Sequence, residues 1–262
     1  MKPIVVLTDF SAPADNAMLY AGNLAQKLGC SLLLLHIYQV PVSMNEVPVI
    51  VISAEELKSG VDAGLYRSRA ALQRAFPDLT IKTESRLGDL ISELEDVCRE
   101  TGPLLIVEGK HDAGGLERIL FGSTALSVVR HAHIPVIVVP AAAPGKEIKR
   151  LGLAIGSEGP GQSASFIGSM TQALQASLHI VHVHADGTSP ELSFSQLPDA
   201  SFHTVRDEDF LNGIQTFLEE QSIDLLAVLP HRHSLIERLF FRIHTEELVN
   251  KLSIPVMCIN QS

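Results

Sequence analysis

Tryptophan is absent from this 262-residue chain, and aromatic residues of all kinds make up only 5%. Any core must therefore be built from aliphatic side chains and alanine. Cysteine is scarce: Cys30, Cys98 and Cys258 form no C-x-x-C pair, and their odd number fits no disulfide framework. They read as reduced thiols of a cytoplasmic protein. Basic charge is in deficit, with 20 Lys and Arg against 30 Asp and Glu, a net charge of −10. With no basic run either, a nucleic-acid partner is not expected. Long apolar runs are missing too, so no membrane span is expected. The first such run stops at Asp9, short of a signal peptide. Two catalytic signatures are also absent, the G-x-S-x-G elbow and the P-loop G-x-x-x-x-G-K-[ST], and the strand-one turn Asp9-Phe10-Ser11-Ala12-Pro13 is not the dinucleotide G-x-G-x-x-G. Their absence argues against a serine hydrolase, a P-loop NTPase and a dinucleotide enzyme, and no Ser/His/Asp set stands out.

What is present is apolar material in quantity, 46% hydrophobic against 19% charged, enough for one or two cores. The length suggests two domains, and the chain carries an internal repeat. Residues 31–38 (SLLLLHIY) line up with 177–184 (SLHIVHVH), and 104–107 (LLIV) with 225–228 (LLAV). Residues 116–121 (LERILF) line up with 236–241 (IERLFF), and 134–136 with 254–256, both IPV. The spacing falls from 146 residues at the first pair to 121 and then 120, so the second copy lacks roughly 25 residues after its second strand. The Ala-Ala-Ala-Pro-Gly-Lys joint ending at Lys146 sets domains of 1–143 and 147–262.

In the first copy, the β-branched run 4–7 predicts a strand buried on both faces. Ser11 then offers a helix cap, an apolar stripe runs from Ala14 to Leu28, and Gly29 offers the stop. A strand is expected over 32–37, a helix near 54–75, a more polar edge strand over 81–85 and a helix over 91–100. Strand 104–107, helix 116–131 and strand 136–139 complete the copy. Alternating strands and helices with right-handed crossovers predict an α/β fold of doubly wound parallel sheets. Ligands of such sheets sit outside the carboxyl ends of the strands. This directs attention to Asp9-Phe10-Ser11 after strand one and Glu108-Gly109-Lys110 after strand four. The closing strands 136–139 and 256–259 are apolar edges, and apolar edges are usually paired.

After strand four the chain reads GKHDAGGL and then, past a helical stretch, Phe121-Gly122-Ser123. Glycines let backbone amides approach an oxyanion, and a Gly-Ser pair at a helix start adds a hydroxyl. A glycine-rich turn without a ligand has the same composition. Here the chain resembles the universal stress protein family, in its tandem form. That family's nucleotide-binding pattern is G-x2-G-x9-G-[ST] after strand four, with an Asp ending strand one. Gly109, the nine residues 113–121, and Gly122-Ser123 match it, and Val6-Leu7-Thr8-Asp9-Phe10-Ser11 matches the opening segment. The second motif glycine is replaced by Asp112, a carboxylate that disfavours phosphates unless it turns away or shares a divalent cation with them.

The resemblance implies two five-stranded parallel-sheet domains of the adenine nucleotide alpha hydrolase-like fold, related by a pseudo-two-fold axis within one chain. A further homodimer would be compatible with it. It implies a stress-response protein that binds ATP or another adenine nucleotide, with Mg2+ as a possible companion, and at most a slow hydrolysis. Asp9, with Phe10 and Ser11, would face the adenosine, and the backbone from Tyr38 to Val40 would meet the adenine edge. Gly109, Lys110 and Asp112, then Gly122, Ser123 and Thr124, would surround the phosphates. In the second copy the matching positions are Gly156 for Asp9, Pro230 for Gly109 and Arg242-Ile243 for Gly122-Ser123, so ATP is not expected there. The alternative is a fold kept for interaction, with vestigial sites in both copies. Copy two also carries His182 and His184 on one strand and His231 and His233 after another. Imidazoles at that spacing suit Zn2+, and equally suit polar strand ends.

Overall fold

A computed structural model describes residues 2–40, 53–110, 123–141, 143, 145, 147–155, 160–184, 197, 199–229 and 252–260. The chain begins with β1 (Pro3–Leu7), α1 (Ala12–Leu28), β2 (Ser31–Tyr38), α2 (Ala54–Ala75) and β3 (Ile81–Leu87). It continues with α3 (Leu90–Thr101), β4 (Leu105–Gly109), α4 (Ser123–His131) and β5 (Val136–Val139). The remainder holds β6 (Arg150–Ala154), α5 (Ser163–Leu174), β7 (Ser177–His184), β8 (Ser201–Arg206), α6 (Phe210–Glu220), β9 (Leu225–Val228) and β10 (Val256–Cys258).

Local chemistry sets these limits. Ser11 caps α1 by accepting the Ala14 amide, and Gly29 stops it in the left-handed region at φ 61°. Ser53 and Glu56 form a capping box at the start of α2. Asp89 caps α3 and Asp209 caps α6, each accepting two backbone amides.

The strands form one ten-stranded sheet in the order β3-β2-β1-β4-β5-β10-β9-β6-β7-β8. Every pairing is parallel except that of β5 with β10, which is antiparallel and sets Ile137 opposite Met257. That junction removes two apolar edges at once. β3 and β8 are the outer strands. Helices α1, α2 and α5 cover one face, burying Ala17, Met18, Leu65 and Ile167 among others. Helices α3, α4 and α6 cover the other, burying Leu94, Val128 and Phe217.

The strand register corrects one alignment. Leu105 lies opposite Ile4 on β1, and Leu225 lies opposite Leu151 on β6. The matching pair is therefore Leu105 with Leu225, not Leu104 with Leu225. A slip of one residue would send every side chain of the strand to the wrong face. Under the true register Glu108 corresponds to Val228, and Gly109 to Leu229 rather than Pro230. Helix 116–131 is described from Ser123 onward; its earlier part, Gly156, Pro230, Arg242 and Ile243 lie outside the described residues.

Candidate functional site

From β1 the chain passes to β2 and β3 on one side and returns to β4 on the other. The crevice between β1 and β4 is thus the place where the winding reverses, and helices on opposite faces leave a gap there. A cleft of about 370 Å3 opens at this point. Leu7, Thr8 and Asp9 form one wall, Ile37, Tyr38 and Gln39 another, and Glu108 and Gly109 a third, with Ala14, Leu35, Gly88 and Leu90 completing it.

Side chains bonded to backbone hold the turn after β1. Thr8 Oγ1 accepts the Phe10 amide at 3.1 Å, and Asp9 Oδ1 accepts the Ser11 amide at 3.1 Å. Phe10 takes φ 65°, rare for a bulky residue. Its ring lies 4.6 Å from that of His36, whose ring in turn stacks 6.0 Å from Tyr38. Phe10 and Ser11 are not among the residues lining the cleft: one packs beside Gly64 of α2, the other caps α1.

Gly109 stands against the first turn of α1. A Cβ built there would meet the Pro13 carbonyl oxygen at 2.5 Å and the Ala14 nitrogen at 2.9 Å. The glycine is thus required by the close approach of β4 to α1, and the same approach exposes its backbone to the cleft.

Glu108 is the most perturbed group in the cleft. Burial, and then the nearby Asp9 charge, push its carboxyl up to about 8. Its Oε2 atom has no hydrogen-bond partner. Asp15 is also raised, by burial and by Asp9. Lys110 is buried beside the cleft, and its amide donates to the Val139 carbonyl at 2.8 Å.

Asp9, Tyr38 and Gly109 of the expected set therefore meet in one cleft. Val40 is exposed and, like Lys110, is not among its lining residues. Asp112 and Gly122 lie outside the described residues, as do the side chains of Ser123 and Thr124 at the start of α4. The sequence marks Glu108 by position without giving it a role, includes Gln39 only within the Tyr38 to Val40 backbone and Thr8 only within the opening segment, and gives no sign of Gly88. The available signal was a carboxylate inside an apolar strand. Among the described residues no group of three or more His, Cys, Asp or Glu side chains gathers as a metal site would. His182 Nδ1 lies 3.2 Å from the Ile155 carbonyl, and its ring stacks 6.0 Å from that of His184. His231 and His233 lie outside the described residues.

Residues 1–140 match the model of the universal stress protein family. The chain belongs to that family. A universal stress protein of Mycolicibacterium smegmatis is 25% identical over 186 residues, which are 69% of this chain and 63% of that relative. The chain thus spans less than two-thirds of that relative's length. A universal stress protein of Methanocaldococcus jannaschii is 29% identical over 140 residues, 53% of this chain and 81% of its own. The crystal structure of a universal stress protein from Archaeoglobus fulgidus DSM 4304 superposes with a TM-score of 0.73, covering 99% of this chain and 98% of its own at 15% identity. The two share a fold from end to end. No helix among the described residues is long and apolar enough to cross a membrane.

Proposed function

We propose that this universal stress protein binds ATP or a closely related adenine nucleotide in the cleft between β1 and β4. It acts there as a nucleotide-responsive binding module of a stress response, in the cytoplasm, rather than as an enzyme. The observation that carries this reading is the position of the cleft at the winding reversal, with Asp9 on one side and the Gly109 backbone on the other. A volume of about 370 Å3 accommodates a nucleoside. The Tyr38 to Gln39 backbone offers donors and acceptors to a base edge, Asp9 offers an acceptor to ribose hydroxyls, and Gly109 admits close approach. These residues fit a nucleotide.

The second half supports a single site per chain. At the positions of Glu108 and Gly109 it holds Val228 and Leu229, both buried and apolar. We read the two halves as a nucleotide-binding domain and a degenerate partner domain joined through β5 and β10. Occupancy of the first would then bias its relation to the second, or to another protein. Mass spectrometry of ligand released from purified protein tests the reading, together with the melting shift in millimolar MgATP. An adenine nucleotide released, or a clear upward shift, supports it. Neither one observed removes it.

A further inference from the structure

Glu108 interrupts a strand that is otherwise apolar and buried throughout. It is only 5% exposed, its Oε2 atom has no hydrogen-bond partner, and it lines the cleft. At the matching place on β9 stands Val228, 0% exposed. The fold therefore needs nothing more than a valine there, and a carboxyl group so placed is costly unless something binds it. Asp9 in the turn after β1, Ala14 on α1, Tyr38 at the end of β2 and Leu90 at the start of α3 line the same cleft, and Val138 on β5 pairs with Glu108. The charge that acts on Glu108 is that of Asp9. Asp15 of α1 is raised by burial and by the same Asp9 charge, and Lys110 lies two residues along the chain, outside the cleft lining. An ionised Glu108 would put a second negative charge beside Asp9 in a cleft meant for an anionic ligand.

We propose that Glu108 is a specificity-determining residue of the nucleotide cleft: as the neutral acid it donates its O–H to the bound nucleotide, and the ligand is held only with that proton in place. This rests on the reading of the cleft as an adenine-nucleotide site. Burial and the Asp9 charge hold the Glu108 proton up to about pH 8. The cleft is therefore competent at neutral pH and closes to its ligand as Glu108 ionises. Above that pH, affinity falls by about tenfold per pH unit, and each binding event takes up a proton from solution.

The test is calorimetric titration of the full chain with ATP between pH 7.5 and 9.5, in pairs of buffers differing in ionisation enthalpy. Wild type is expected to weaken by about an order of magnitude across the upper half of this range, with proton uptake approaching one per ATP near pH 9. Glu108→Gln, which keeps a donor but cannot ionise, is expected to bind with a flat profile and no proton uptake. Glu108→Val, the residue of the second half, keeps the fold and serves if the Gln variant does not fold; it is expected to bind weakly and without pH dependence. A flat wild-type profile, or the wild-type slope retained in either variant, overturns the proposal. Carbon NMR titration of the Glu108 carboxyl in ligand-free protein gives an independent arm: a midpoint near 8 supports it, and one near 4.5 overturns it. Absence of ATP binding at pH 7.5, with the NMR midpoint near 8, removes the nucleotide reading and with it the ligand assigned to Glu108.

Discussion

The Nδ1 nitrogen of His36 stands 2.6 Å from the carbonyl oxygen of Thr8. A carbonyl can only accept, so Nδ1 carries the hydrogen. The bond ties the end of β2 to the turn that presents Asp9, and the Phe10 ring closes over it. The same relationship recurs between His182 and Ile155, where no site residue depends on it. Losing such a bond is worth about 1 kcal/mol. His36→Ala is therefore expected to weaken adenine-nucleotide binding roughly fivefold, while His182→Ala leaves it unchanged. Calorimetry at pH 7 on both variants checks the contrast.

Gln175 ends α5 in the left-handed region at φ 54°, where Gly29 ends α1 at φ 61°. A Cβ on Gly29 would meet nothing within 4 Å, so the difference between these two stops is one of backbone conformation. Gln175→Gly is expected to stabilise the protein by about 0.5–1 kcal/mol, and Gly29→Ala to destabilise it by a similar amount. Urea unfolding midpoints report both.

Gly109→Ala differs in kind. Its new methyl would meet the Pro13 and Ala14 backbone, which cannot rotate away as a side chain can. Separating β4 from α1 is expected to cost about 2–3 kcal/mol and to lower the melting temperature by several degrees. Nucleotide affinity should fall with it, because the same approach shapes the cleft.

Glu108 makes stability depend on pH. Its carboxyl sits near 4.5 when unfolded and is raised to about 8 when folded. Below 4.5 both states hold the proton. Between 4.5 and about 8 only the folded state holds it, so stability declines as pH rises, by up to about 1.4 kcal/mol per unit, and levels off beyond. Glu108→Val should remove this decline. Its stability advantage over wild type is expected to grow by about 3 kcal/mol between pH 5 and pH 8, read from denaturant unfolding at each pH.

Much of the architecture was legible in the sequence because local signals agreed with it. Ser11 and Gly29 bracket α1 as their cap chemistry requires, and the apolar run 136–139 is β5. The register of β4 was not legible. Residues 104–107 (LLIV) match 225–228 (LLAV) at three of four positions, better than the true register does, and only pairing with β1 and β6 overrules that match. At the candidate site, the convergence of Asp9 and Gly109 on one cleft was legible from their places at the carboxyl ends of β1 and β4. Adjacency misled where the backbone reverses: the left-handed turn at Phe10 carries its ring to His36 while Asp9 lines the cleft. Glu108 gained meaning only once burial and the neighbouring Asp9 were known, since neither is written in its own segment.

The proposed adenine-nucleotide site, one per chain, depends on Asp9. Calorimetric titration of wild type and Asp9→Ala with ATP at pH 7 tests it most directly. One nucleotide per chain, weakened at least tenfold by the substitution, is the predicted result. Two nucleotides per chain, equal binding by the variant, or no binding by wild type would contradict it.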